Sequence, residues 1–438
     1  MLHAVAEHTR PTRTPSPPWG AGWGEGRFER SLTRGANASQ RRLIRPSPLT
    51  PLPRGERGAC VFVSLLWLVA NVCHAAEPPA SAKLEEFRIK SEKGPEQSVL
   101  GRVLVEAQDG GLLVIGRDGK LWSVDADQLA GRRATDEAFS PLAPDQLGKQ
   151  LREELGFGFE VFPTKHYIVC SNAGKTYSTW CGQLFERLFA AFQNYWKQRG
   201  LTLREPEFPL IAIVFSNERE FAAFAQRDAG PDAVSSKGYF SIATNRMVIY
   251  DLVAGARGGA VMSSAEFQQR LTTQAFNIAT VVHEATHQIA FNSGMHTRYA
   301  DNPLWLAEGM AMFFETPDLS SKTGWKTVGT VNDLRLRQFR DYAAKRRPAD
   351  SLTSLLQSDV RFTNEKQAAD AYAEAWALNC FLIKTRTADY VRYLERLAAK
   401  PRLTWDTPEK RLAEFEEVFG KDFVALEAEW LKYMRRLK

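Results

Sequence analysis

Apolar positions along this chain change their period twice. Over residues 98–125, runs at 99–105, 112–115 and 120–124 are separated by Asp109-Gly110-Gly111 and Asp118-Gly119. Apolar runs broken by glycine turns predict a small antiparallel barrel or meander, SH3-like, within a module spanning 77–135. A mixed pattern follows: a helix over 145–155, a strand at 165–170, a helix over 175–199, a strand at 209–215 and a helix over 218–227. Residues 238–241 and 247–250, joined across Thr244-Asn245, read as a hairpin. Phe267, Leu271, Ala275, Ile278, Val282, Ala285 and Ile289 then recur at three- and four-residue steps. They predict one buried helix, opened by a Ser263/Glu266 capping box and stopped at Asn292-Ser293-Gly294. Asn302 and Pro303 supply an N-cap and first residue for a second apolar helix. Helical periods continue at 333–345, 351–356, 365–384 and 388–399, with two more from 408 to the end. Strands first and helices afterwards give an α+β fold, with a mixed sheet and a helical C-terminal subdomain making up a domain over 160–438.

Charge narrows the partners. The net charge is +6, but residues 1–76 hold ten Arg, four Glu and no Lys or Asp, which is the whole surplus. The rest is balanced, so the basic character argues for neither a nucleic acid nor a membrane surface as partner. Residues 1–57 are rich in Pro, Gly, Arg and Ser without periodicity, the mark of a disordered leader or of a start site placed too early. Residues 58–76 carry an apolar run behind Arg54 and Arg57 and end in Ala75-Ala76. That reads as a secretory signal peptide, too short for a membrane span, and predicts a secreted, periplasmic or cell-envelope protein with no stable membrane span after cleavage. In an oxidising compartment Cys170 and Cys181 form a disulfide or, with Cys380, stay buried as thiols.

The chemistry centres on His283-Glu284-Ala285-Thr286-His287. Histidines at i and i+4 on a helix share a face, so two imidazoles can reach one metal ion, and the glutamate beside the first can act on water. This is the ligand-and-base pattern of zinc hydrolases, with one Zn2+ per chain. A catalytic zinc takes three protein ligands. The metzincin extension fails, because Ala290 and Ser293 stand where glycine and histidine are needed. Twenty residues separate His287 from Glu308, the only charge between Asp301 and Glu315 in an apolar helix. Burying a carboxylate there is costly unless it is paired or ligates a metal. Glu308 is therefore the expected third ligand, ahead of Asp301 and Glu315.

His-Glu-x-x-His followed by Trp305-Leu306-Ala307-Glu308-Gly309 resembles the gluzincin clan of metallopeptidases. More narrowly, residues 166–437 resemble a family of secreted bacterial proteins of unknown function within that clan, through 238–241, 245–251, the two ligand helices and 371–378. The resemblance implies a zincin-like catalytic domain, a peptide or protein substrate, and Glu284 as general base to a zinc-activated water. It points to a tyrosine or histidine from a later segment as oxyanion donor. Tyr372, 64 residues after Glu308, occupies the matching place. His296, Arg298 and Tyr299 are competitors, and Asp301 and Glu315 could orient a ligand imidazole. In such enzymes an edge strand lies over the cleft, which here would be the 238–250 hairpin. The rival reading is a non-catalytic, zinc-stabilised binding module at the cell surface. Oligomeric state is not legible.

Overall fold

The computed structural model describes residues 83–90, 95–253, 264–319, 321 and 324–438. The leader (1–57), the signal segment (58–76) and Ser263 lie outside the described residues. Among those described, ten strands form two five-stranded sheets alongside thirteen α-helices, an α+β arrangement.

The first sheet is antiparallel, in the order β4-β3-β2-β1-β5. Its strands are β1 (Lys83–Ile89), β2 (Gln97–Glu106), β3 (Leu112–Gly116), β4 (Leu121–Val124) and β5 (Leu129–Ala138). The expected meander is its middle; β1 and β5 extend it to residue 138. Strand β3 is buried on both faces. Leu112 and Val114 join Phe87, Val99 and Val124 in the module's own core. Leu113 and Ile115, pointing the other way, join the main core together with Leu121. The alternation of a strand thus commits one element to two cores.

The second sheet is mixed, in the order β6-β7-β8-β10-β9. β6 (Glu160–Pro163) runs antiparallel to β7 (Tyr167–Ser171). β7, β8 (Leu210–Phe215) and β10 (Arg246–Tyr250) are mutually parallel. β9 (Gly238–Ser241) pairs antiparallel with β10 at the edge. Every residue of β7 and β8 is buried. Such strands read as continuous apolar runs because helices cover both faces. Those covering helices include α1 (Pro144–Leu155), α2 (Lys175–Lys197) and α3 (Glu218–Asp228).

The expected long helix is two. α4 (Ser264–Thr273) and α5 (Ala275–Asn292) are separated at Gln274, whose φ/ψ of −104°/20° leaves the helical region. Thr272 and Thr273 hydroxyls bond back to Gln268 O and Arg270 O at 3.1 and 2.9 Å, a local competition that favours helix ends. α5 then ends as expected, with Gly294 at φ +82°. α6 (Leu304–Phe314) is buried at all eleven positions. Its cap differs from expectation: Asp359 Oδ1 accepts the Leu304 N–H at 2.9 Å. Asn302 instead donates to Thr297 O and Ala300 O, each at 2.9 Å.

The remaining helices are α7 (Asp333–Lys345), α8 (Ser351–Gln357), α9 (Val360–Thr363), α10 (Ala368–Thr385), α11 (Thr387–Ala398), α12 (Pro408–Phe419) and α13 (Phe423–Arg436). The 365–384 expectation is met by α10 preceded by the separate turn α9. α10 packs along α6 so closely that a Cβ on Gly309 would stand 2.0 Å from Asn379 Nδ2. Cys170, Cys181 and Cys380 are buried thiols, not a disulfide. No helix of the described residues is long and apolar enough to cross a membrane.

Candidate metal centre

The rotation of α5 decides what each of its faces can do. Gln288 Nε2 donates to Ile211 O and Asn245 O at 2.9 and 3.1 Å. Asn292 and Asn245 exchange amide hydrogen bonds at 2.8 and 2.9 Å. These contacts seat the 284/288 face on the sheet. The 283/287 face, about 100° away round the helix, is thereby turned to α6.

There His283 Nε2 lies 3.1 Å from His287 Nε2 and 3.0 Å from Glu308 Oε2. His287 Nε2 is 3.4 Å from the same oxygen. All three residues are buried, and the trio could hold a metal ion. Donor atoms around a tetrahedral zinc, with bonds of about 2.0–2.2 Å, stand roughly 3.3–3.5 Å apart. The observed spacings come within a few tenths of that, so these residues fit such an ion with little rearrangement.

Charge within the trio is self-consistent. Burial works against charge on both groups, yet the neighbouring imidazoles hold the Glu308 carboxyl down at about 2. Glu308 and Glu315 likewise outweigh burial at His283 and raise its pKa well above the ordinary histidine range. Glu315 lies behind the ligand: its Oε2 is 3.3 Å from His283 Nδ1. Its Oε1 accepts from Asn332 Nδ2 at 2.7 Å and lies 3.5 Å from Arg335 Nε. Asn332 also caps α7, accepting from Leu334 and Arg335 N–H groups. A carboxylate on the far nitrogen fixes an imidazole's tautomer and orientation. Sequence reading raised Glu315 for this place but missed Asn332 and Arg335, whose only signal was a helix start.

Glu284 turns toward the sheet edge, where its Oε2 accepts the Phe240 N–H of β9 at 2.9 Å. Burial raises its pKa, against the pull of His283 and His287. No sequence signal marked that backbone donor beyond the hairpin itself. His296 is buried, and neither ring nitrogen has a hydrogen-bond partner among the described residues. Its ring meets Phe291 at 5.2 Å, and burial, then the charge of His287, pushes it down to about 3. Tyr372 lies on the α10 face that carries Ala375 and Asn379 against α6, fully buried, with its ring edge-on to Phe362 at 5.1 Å.

The other candidates are drawn elsewhere. Asp301 is held by Arg411 at 2.5 and 3.1 Å and by Lys400 at 3.2 Å. Arg298 donates to Gly119 O and Ile242 O at 2.9 and 3.1 Å, tying the β3–β4 turn to the α5–α6 loop. Tyr299 takes φ +61° in that loop, and its carbonyl accepts from Leu403 N. Asp301 is thus no partner to a ligand imidazole.

A family model described as a protein of unknown function (DUF1570) matches residues 277–404. The matched stretch runs from α5 through α11 and holds both histidines, Glu308, Glu315, His296 and Tyr372. No curated protein matches the chain.

Proposed function

We propose that this chain is a zinc-dependent hydrolase of peptide or related amide bonds, with a zincin-like, gluzincin-type centre in which His283, His287 and Glu308 hold one Zn2+. The observation that carries this reading is a buried N,N,O donor set at tetrahedral spacing, with a further carboxylate, Glu284, beside it on the same helix. Metal binding alone has no need of Glu284.

A zinc ion held there supplies Lewis acidity for a scissile carbonyl and lowers the pKa of water. The chain's own residues do the rest. Glu284, steadied through Oε2 by Phe240 N–H, accepts the proton of the attacking water and passes it to the leaving amine. A raised carboxyl pKa suits a group that must both take and return a proton. Glu315 keeps the His283 Nδ1–H oriented, so that Nε2 faces the ion. Either His296, whose ring nitrogens have no partner among the described residues, or its competitor Tyr372 donates to the oxyanion. Strand β9, at the sheet edge beside Glu284, offers an extended peptide a strand to pair with. A location outside the cytoplasm belongs to the same reading and is supported by the sequence of residues 58–76.

Glu284→Gln tests it. Metal content should be unchanged while chelator-sensitive peptide hydrolysis falls about 10²–10⁴-fold, the usual worth of a positioned base. Equal cleavage by both proteins would remove Glu284 from the mechanism. Bound metal with no cleavage of a broad peptide library by either would instead favour a metal-stabilised binding module.

A further inference from the structure

The two helices that carry the ligand trio take their positions from different parts of the molecule. α5 is seated on the sheet through Gln288 and Asn292. α6 is tied instead to α10 and α11, and one side chain makes the connection. Asn379, fully buried on α10, donates from Nδ2 to Trp305 O of α6 and to Ala375 O of its own helix, both at 2.8 Å. Its Oδ1 accepts the hydroxyl of Tyr390, fully buried on α11. Both amide hydrogens and the amide oxygen are thereby used. Turning the amide over would set Oδ1 against two carbonyl oxygens, so these partners admit one orientation.

The connection is made beside a ligand. Trp305 stands three residues before Glu308, and Gly309 directly after it. A Cβ on Gly309 would lie 2.0 Å from Asn379 Nδ2, so the missing side chain is what lets the amide reach the α6 backbone. The Trp305 ring stacks on Tyr393 of α11 at 5.8 Å, which locks the same residue a second time. Apart from Glu308, α6 presents only apolar side chains and glycine. Apolar burial is non-directional and does little to stop a helix sliding along its axis, whereas hydrogen bonds are directional. A slip of one residue moves a helix by about 1.5 Å. The Glu308 oxygen, at 3.0 and 3.4 Å from the two imidazole nitrogens, tolerates only a few tenths of an ångström before it leaves the spacing of a tetrahedral ion.

We propose that Asn379 is a positioning residue for the metal centre: its amide, held by Tyr390, fixes the axial setting of α6 that brings Glu308 to His283 and His287. This rests on the metal-binding reading above. Asn379→Leu keeps the size of the side chain and removes all three hydrogen bonds. Tyr390→Phe removes only the bond to Oδ1 and is the milder change. Phe381→Leu loosens α10 on another side, where Phe381 meets Tyr433 of α13 at 5.6 Å, and serves as the control. Zinc affinity is read on the full chain by competition with a chromophoric chelator, and coordination by the visible spectrum of Co2+ in place of zinc. Asn379→Leu should weaken zinc binding about tenfold or more, as loss of an outer support does, and should dim the intense bands of four-coordinate Co2+. Tyr390→Phe should shift both in the same direction by less, and Phe381→Leu should lower the melting temperature with neither changed. Wild-type affinity and spectrum in folded Asn379→Leu, or in Tyr390→Phe if Asn379→Leu does not fold, overturns the proposal. So does an equal loss of affinity in Phe381→Leu, which would mark general loosening. Failure of the wild-type chain itself to take up zinc would instead bring down the metal centre, and this role with it.

Discussion

Replacing Glu315 by glutamine keeps the volume of a side chain that is 1% exposed, removes its charge and turns one acceptor oxygen into a donor. That charge faces His283 Nδ1 at 3.3 Å, with Asn332 and Arg335 on its other oxygen at 2.7 and 3.5 Å. The amide oxygen can still accept from the imidazole, which turns the new NH2 toward the donors Asn332 and Arg335, so the ring keeps its acceptor while the extra basicity lent to Nε2 is lost. Loss of an outer-shell carboxylate generally lowers metal affinity about 10–100-fold, or roughly 1.4–2.7 kcal/mol. Alanine would be a poorer probe. It would empty a buried site and leave the His283 Nδ1–H and the Asn332 amide without their acceptor, a folding penalty of about 1–3 kcal/mol for each that would mask the metal effect. Zinc affinity should therefore be read by competition with a chromophoric chelator on Glu315→Gln, with the melting temperature of the chelated protein as the measure of fold. A zinc affinity within twofold of wild type in a normally folded variant would refute the role assigned to Glu315.

Glu308→Ala should drop zinc content from one ion per chain to near zero by elemental analysis; retained stoichiometric zinc would remove it from the ligand set. Gly309→Ala puts a methyl 2.0 Å from Asn379 Nδ2 and 2.5 Å from Ala375 O, so α6 and α10 must part. The expected loss is about 1–3 kcal/mol or more, read as a lower denaturant midpoint. His296 contributes a pH dependence. Its folded pKa of about 3 lies below the ordinary histidine value, so the unfolded chain takes up a proton first as pH falls. Stability is intact above about 6.5 and is lost progressively down to about 3, some 2 kcal/mol of it by pH 5. His296→Phe should flatten that slope in denaturant titrations between pH 7 and 5.

Legibility in the sequence followed what each residue depends on. The buried strands β7 and β8 and the helices α2 and α7 carry their own period, so they could be read within a residue or two, as could the C-terminal end of α5. β5, Leu-Ala-Gly-Arg-Arg-Ala-Thr-Asp-Glu-Ala, is largely solvent-facing and has no apolar alternation. It is a strand because β1 pairs with it, a fact held by the partner. The same holds at α6, where Asp359 reaches back 55 positions to cap Leu304, leaving Asn302 to a local turn. The His283–His287–Glu308 trio was legible because helical spacing carries two members and an isolated carboxylate the third. Asn332, Arg335 and the Phe240 N–H were not, because each acts through a tertiary contact that no local spacing announces.

Strand β3, with alternate side chains in two cores, has a consequence for how the molecule comes apart. A fragment beginning at residue 160 would uncover the pocket filled by Leu113, Ile115 and Leu121 and strip Arg298 of its Gly119 carbonyl. Losing three buried aliphatic side chains alone removes roughly 5–9 kcal/mol, comparable with the whole stability of an ordinary domain. The β module is therefore not a detachable accessory. It and the body carrying the histidines should melt in one cooperative transition, and in evolution or in the laboratory they would have to be exchanged as a single unit.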